Sequence, residues 1–93
     1  MTREVEVGKI RIGNTLPLTL IAGPCQLESL THAEAIAGHL RDLCDKAGLG
    51  FVFKASVDKA NRTSLSSARG PGIRDGLTIL DQVRRNIGCA TLT

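Results

Sequence analysis

The sequence predicts an α/β fold with parallel strands, in which a short hairpin is followed by β-α-β-α-β. Three observations carry this. Apolar residues recur with period 2 near the amino terminus and with helical i, i+3, i+4 spacing in two later stretches. Two continuous apolar runs, residues 18–22 and 51–55, lack polar alternation, as strands covered on both faces do. Gly48 and Gly88 follow the two helical stripes, where a helix commonly stops. Strands and helices that alternate in this way pair in parallel through right-handed crossovers.

The elements follow in order. Val5, Val7, Ile10 and Ile12 flank Gly8, with Glu4, Glu6, Lys9 and Arg11 between them, which gives a hairpin within residues 1–15 that has one apolar face. Gly13-Asn14 ends it. The run 18–22, closed by Gly23-Pro24, is the first strand of the parallel sheet and is expected to be buried on both faces. Thr31 and Glu34 have capping-box spacing, and Ala33, Ile36, Ala37, Leu40, Leu43, Cys44 and Ala47 form a stripe, so a helix is predicted over 31–47. Residues 51–55 form the second strand. A polar segment over 56–72 leads to a second helix, whose stripe is Ile73, Leu77, Leu80, Val83 and Ile87, and residues 89–93 begin a third strand. The whole of 1–93 reads as one partial domain, the hairpin of 1–15 and the sheet unit of 16–93, without repeat, low-complexity tract or linker. An open doubly wound sheet and a (β/α)8 barrel both begin this way. A complete barrel needs about 250 residues, so this would be roughly its first third.

Composition narrows the function. With 93 residues and 42% hydrophobic content, one core is available, and a chain of this size buries only roughly 60–65% of its unfolded surface. The net charge is +3, but Lys54, Lys59, Arg62, Arg69 and Arg74 crowd a stretch in which Asp58 is the only acid, which favours an anionic ligand. Phe51 and Phe53 are the only aromatics. They leave little for base stacking, so nucleic acid is not expected as a partner. Three cysteines without a C-x-x-C pair fit a reducing cytosol. The start lacks the apolar core of an export signal, and no run approaches the roughly 18 apolar residues of a membrane span, so neither export nor membrane insertion is expected.

In parallel α/β folds reactive groups gather at the carboxyl ends of the strands. Cys25 follows the Gly23-Pro24 turn, where a thiolate would bind a divalent metal or act as nucleophile; as a small hydrophobe it would instead be buried for packing. Cys44 and Cys89 lie on an apolar stripe and in a strand and are read as packing residues. Thr91 and Thr93 close the third strand. Lys54 ends the second strand and opens the segment to Gly72, which reads KASVDKANRTSLSSARGPG. Lys54 and Lys59 offer point charges, Arg62 a planar fork, and Asn61, Thr63 and Ser64 neutral hydrogen-bonding groups. Together they describe a cradle for a polyanion, against the plainer reading of a solvated basic loop. A lysine ending a buried strand would be costly unless paired, which favours the site; alternatively Lys54 snorkels from the strand end to water. Asp58 is a turn or ion-pair residue or a catalytic one. His32 and His39, seven apart, lack the i, i+4 spacing of helical zinc ligands and read as surface residues. Glu28-Ser29 reads as a turn and cap, and Arg84-Arg85 as a complement to a helix carboxyl terminus.

Three blocks, IAGPCQLES at 21–29, FVFKASVDKANRTS at 51–64 and RGPG at 69–72, closely resemble the start of the 3-deoxy-D-manno-octulosonate 8-phosphate synthases. The resemblance spans nearly the whole chain, and the KANRTS block is its most specific part. The related deoxyheptulosonate phosphate synthases share the first block, but their later segment typically looks like KPRTS, which Lys59-Ala60-Asn61-Arg62 does not match. The resemblance implies a homotetrameric cytosolic (β/α)8 TIM-barrel enzyme of lipopolysaccharide synthesis, with the hairpin covering the barrel bottom. It implies condensation of phosphoenolpyruvate with arabinose 5-phosphate. Lys54 and Lys59 would contact phosphoenolpyruvate; Asn61, Arg62, Thr63 and Ser64 would bind arabinose 5-phosphate; Lys54 and Asn61 would be catalytic. Cys25, where metal-independent members carry asparagine, implies the branch that uses a divalent metal, with zinc, iron, manganese and cobalt all open. The family's remaining metal ligands, a histidine, a glutamate and an aspartate, lie in later strands. The 93 residues alone are therefore expected to be inactive and either poorly folded or associated with copies of themselves. A deoxyheptulosonate phosphate synthase and a non-catalytic phosphate-binding or oligomerising module remain the alternatives.

Overall fold

The computed structural model describes residues 3–57 and 72–93. A two-stranded antiparallel hairpin, β1 (Glu4–Val7) and β2 (Ile10–Gly13), precedes a three-stranded parallel sheet in the order β3 (Thr19–Ala22), β4 (Gly50–Lys54), β5 (Ala90–Leu92). Helix α1 (Leu30–Ala47) connects β3 to β4, and α2 (Ile73–Ile87) precedes β5. The predicted hairpin and β-α-β-α-β order are both present.

The hairpin closes at Gly8, whose φ of 60° gives a glycine with positive φ at the first central position of a two-residue turn, as in type II′ hairpins. Val5 pairs with Ile12 and Val7 with Ile10, so the four apolar residues share one face, as their spacing requires. Arg11 bonds Glu4 on the other face.

Helix α1 has its cap two residues before the Thr31 of the capping-box reading, within the Glu28-Ser29 pair also expected to cap it. Its N-cap is Ser29, whose Oγ accepts from the His32 N–H at 3.1 Å; Thr31 already lies in the first turn. Serine with an accepting oxygen two or three residues before the donor satisfies an otherwise orphan amide. Ser29→Ala is expected to lower stability by about 1 kcal/mol, read as a shift of the urea unfolding midpoint, and an unchanged midpoint would remove the cap from the account. At the other end Gly48, at φ 72°, donates to Asp45 and Cys44 carbonyls.

Both helices cover one face of the sheet. Phe51, Phe53, Ala55 and Cys89 pack with Ala33, Ala37, Cys44, Leu80 and Val83 in a single buried cluster. Val52, 3% exposed, is buried outside that cluster. By strand alternation it belongs to the opposite face, with its register neighbours Ile21 and Ala90, and with Lys54 and Leu92 one step on. Two expectations are corrected here. The run 18–22 is not buried on both faces: among the described residues β3 pairs with β4 alone, and Leu20 and Ile21 are 38% and 49% exposed. The inner line of α2 is not the predicted stripe throughout either. Leu80 and Val83 are buried, but Ile73 and Leu77 are exposed, because Gly76 takes the buried place in the first turns, against Val57.

The hairpin sits at the amino ends of the parallel strands. A Cβ built on Gly50, which starts β4, would lie 3.1 Å from Ile10 Cγ2, and one on Gly8 would lie 4.0 Å from Ala90 Cβ at the start of β5. Between hairpin and helix carboxyl termini lies a cleft of about 830 Å³ lined by Lys9, Arg41, Asp45, Arg84, Arg85 and Thr91, among others. Its arginines are paired, Arg41 with Asp45 at 3.7 Å, and Arg84 and Arg85 with Asp81 at 2.7 and 2.9 Å. The hydrogen bond from Arg84 holds the Asp81 carboxyl below its ordinary range. Arg84 and Arg85 also stand in the last turn of α2, the helix-end complement read from the sequence.

Candidate functional site at the carboxyl ends of the strands

That cleft is at the amino ends, but the residues with chemistry lie at the other end, where loops leave a parallel sheet. Strands β3 and β4 run in register to Ala22 opposite Phe53. The next residue, Gly23, lies so close to β4 that a Cβ on it would be 1.9 Å from the Lys54 carbonyl oxygen. Pairing then resumes at a bridge between Gln26 and Ser56, and the Leu27 N–H donates to the Ser56 carbonyl at 2.9 Å. Between these two paired positions the first chain places Gly23, Pro24 and Cys25, the second only Lys54 and Ala55. The extra residue makes the first chain bulge, a device that re-aims side chains at sheet ends. Cys25 sits in that bulge and is exposed. Leu27, fully buried, fixes its far side in the core.

Lys54 is the last residue of β4, exposed, on the sheet face that carries Val52. Its side chain reaches water, as the snorkelling reading has it, so Lys54 needs no buried partner. What stands is its position. Lys54 and the Cys25 bulge leave the same end of adjacent strands, opposite the hairpin. Lys59, Asn61, Arg62, Thr63 and Ser64 lie outside the described residues, as does Asp58. The two flanks of their segment are described and adjoin: the Gly72 N–H donates to the Val57 carbonyl at 3.2 Å, and a Cβ on Gly76 would meet Val57 Cβ and Cγ1 at 2.6 Å. Thr91 pairs with Phe53 in β5 and lines the opposite cleft, so it is not brought to Cys25.

The other cysteines pack, as expected from a stripe and a strand, although Cys89 stands just before β5 and not in it. Cys44 and Cys89 are 2% and 8% exposed, and burial pushes both thiols up, with Asp45 adding to the effect on Cys44. The thiolate is the reactive form. Brief treatment with iodoacetamide near pH 7.5 is accordingly expected to alkylate Cys25 alone, with Cys44 and Cys89 modified only after denaturation; peptide mass mapping showing equal labelling would contradict the burial. His39 is exposed, and half-buried His32 approaches Glu28 at 3.2 Å, so neither joins Cys25. Among the described residues no group of three or more His, Cys, Asp or Glu side chains is arranged to hold a metal ion. Cys25 by itself does not make a metal site.

Sequence reasoning missed Gly23 and the Val57–Gly76 contact. A glycine at a strand end was the available signal, since it often marks a close backbone approach; nothing in the sequence pointed to Gly76 in preference to the larger residues beside it.

No described helix is long and apolar enough to cross a membrane. The sequence pattern of the DAHP synthetase I family matches residues 2–93. Among curated relatives, proteins named 2-dehydro-3-deoxyphosphooctonate aldolase are similar to this chain: that of Bartonella tribocorum is 49% identical over 89 residues, that of Chelativorans sp. 53% over 89, and that of Granulibacter bethesdensis 52% over 91. These matches take in 96–98% of this chain but 32% of each relative. The chain thus spans about a third of the length of the relatives it matches. A pattern that runs from residue 2 to residue 93, together with strands, bulge and hairpin in one α/β unit, places the chain in the DAHP synthetase I family.

Proposed function

We propose that these residues are the first part of an active site that condenses phosphoenolpyruvate with D-arabinose 5-phosphate and water, giving 3-deoxy-D-manno-octulosonate 8-phosphate and inorganic phosphate. The observation that carries the reading is the joining of Lys54 and the Cys25 bulge at one strand end, from which the KANRTS segment also departs. The names of the relatives agree with it.

In this reading C3 of phosphoenolpyruvate uses its π electrons to bond the sugar aldehyde carbon, and the aldehyde oxygen takes a proton. Water adds at C2, and the C2–O bond to phosphorus then breaks, releasing inorganic phosphate and leaving the ketone. Both substrates carry phosphate, so several cations are needed around them. Lys54 and Lys59 serve phosphoenolpyruvate; Asn61, Arg62, Thr63 and Ser64 serve the sugar, with Arg62 and Ser64 at its phosphate. Lys54 stabilises negative charge as it develops, and Asn61 orients the aldehyde. Cys25 would supply one thiolate to a divalent metal, zinc, iron, manganese or cobalt, which would lend Lewis-acid chemistry and take its other ligands from outside residues 1–93. The parent enzyme is read as a cytosolic homotetramer with a (β/α)8 barrel.

The test is a chimaera in which residues 1–93 replace the matching third of the Chelativorans relative. Phosphate release is expected from phosphoenolpyruvate with arabinose 5-phosphate and much less with erythrose 4-phosphate. A folded chimaera that releases none would refute the reading, and a preference for erythrose 4-phosphate would reassign it.

A further inference from the structure

We infer that Gly23 is a positioning residue that sets the place of Lys54, an inference that rests on the function proposed above. Three atoms of the Lys54 backbone surround the position of a Cβ on Gly23: the carbonyl oxygen at 1.9 Å, the carbonyl carbon at 2.9 Å and the amide nitrogen at 3.2 Å. Real side chains essentially never approach within 3.0 Å, and none of these neighbours is the flexible end of a side chain. The ends of β3 and β4 would have to part by roughly 1 Å, a displacement that costs on the order of 100-fold in rate when it moves a catalytic group.

The surroundings leave little other room for relief. On one side Ala22 is held in register with Phe53, which is 0% exposed. On the other, Gln26 bridges Ser56 and Leu27 bonds the Ser56 carbonyl. Ala55, next to Lys54, donates to the Leu92 carbonyl at 3.2 Å, which ties β4 to β5 as well. Displacement is therefore confined to the short stretch between these joints, which holds Lys54 on one chain and Cys25 on the other. Gly23 is not at positive φ, so its role is the space it leaves and not its backbone freedom.

The experiment uses the full-length chimaera. Gly23→Ala is expected to lower kcat about 100-fold and to leave KM for arabinose 5-phosphate unchanged, while circular dichroism stays that of the parent and the melting temperature falls as the strand ends part. Because the glycine acts through Lys54, Gly23→Ala is expected to have little further effect in a Lys54→Met background, the non-additivity that marks coupled residues. Full additivity, or parent-like kcat in Gly23→Ala, would overturn the inference. If Gly23→Ala does not fold, Pro24→Ala decides: it relaxes the same bulge without placing an atom against Lys54, so kcat near the parent value supports the close approach, and a loss of about 100-fold overturns it. An unsubstituted chimaera without activity would instead refute the proposed function.

Discussion

Replacing Phe53 with alanine is expected to destabilise the fold by about 3–5 kcal/mol, the loss seen when a buried aromatic ring leaves a cavity. Phe53 is 0% exposed and is the largest fully buried side chain. It stands in the central strand, between β3 and β5 and under both helices, so no surface element can collapse into its place. Domains of this size have total stabilities of about 5–15 kcal/mol, and the substitution removes a large part of that. The chain has no Trp or Tyr, so urea unfolding is followed by far-ultraviolet circular dichroism. Leu92→Ala, at a 43% exposed position of β5, is the control and is expected to shift the midpoint far less. Equal shifts for the two variants would show that the core does not centre on β4.

The largest effect on activity is expected at Lys54. In the full-length chimaera Lys54→Met should lower kcat/KM by about 10²–10³-fold, the range for loss of one preorganised group that meets charge as it forms. Stability should be almost unchanged, because the side chain is exposed and in no ion pair found among the described residues. Activity lost together with the melting transition would make Lys54 a structural residue. Activity retained would move the phosphoenolpyruvate site elsewhere.

Much of this was legible from residue patterns because the local signals were strong. Val5, Val7, Ile10 and Ile12 alternate around a glycine, and α1 and α2 end at Gly48 and Gly88 as their stripes require. Phe51, Val52 and Phe53 read as a buried strand and are one. What failed depended on neighbours that a linear pattern does not carry. The run through Leu20 and Ile21 is apolar enough for burial on both faces, but whether a strand is covered depends on what lies against it, and among the described residues β3 has β4 on one edge alone. The α2 stripe assumed that large apolar residues face inward; instead the first turns approach Val57 so closely that glycine takes the inner position. At the site, Cys25 and Lys54 were expected at one end of the sheet and are found there. The one-residue surplus that sets Cys25 out from β4 appears only once Gln26 is seen opposite Ser56. The substrate-binding assignments to residues 59–64 lie outside the described residues.

The bond from Gly72 to Val57 also bears on what change this scaffold tolerates. The Gly72 N–H on the Val57 carbonyl holds the two ends of whatever lies between them together, so the sheet is insensitive to the length of that stretch. Doubling a flexible connection costs only about 0.6 kcal/mol in closure entropy. Exchanging the stretch between Val57 and Gly72 for one of another length should therefore leave the strand pairing on either side in place.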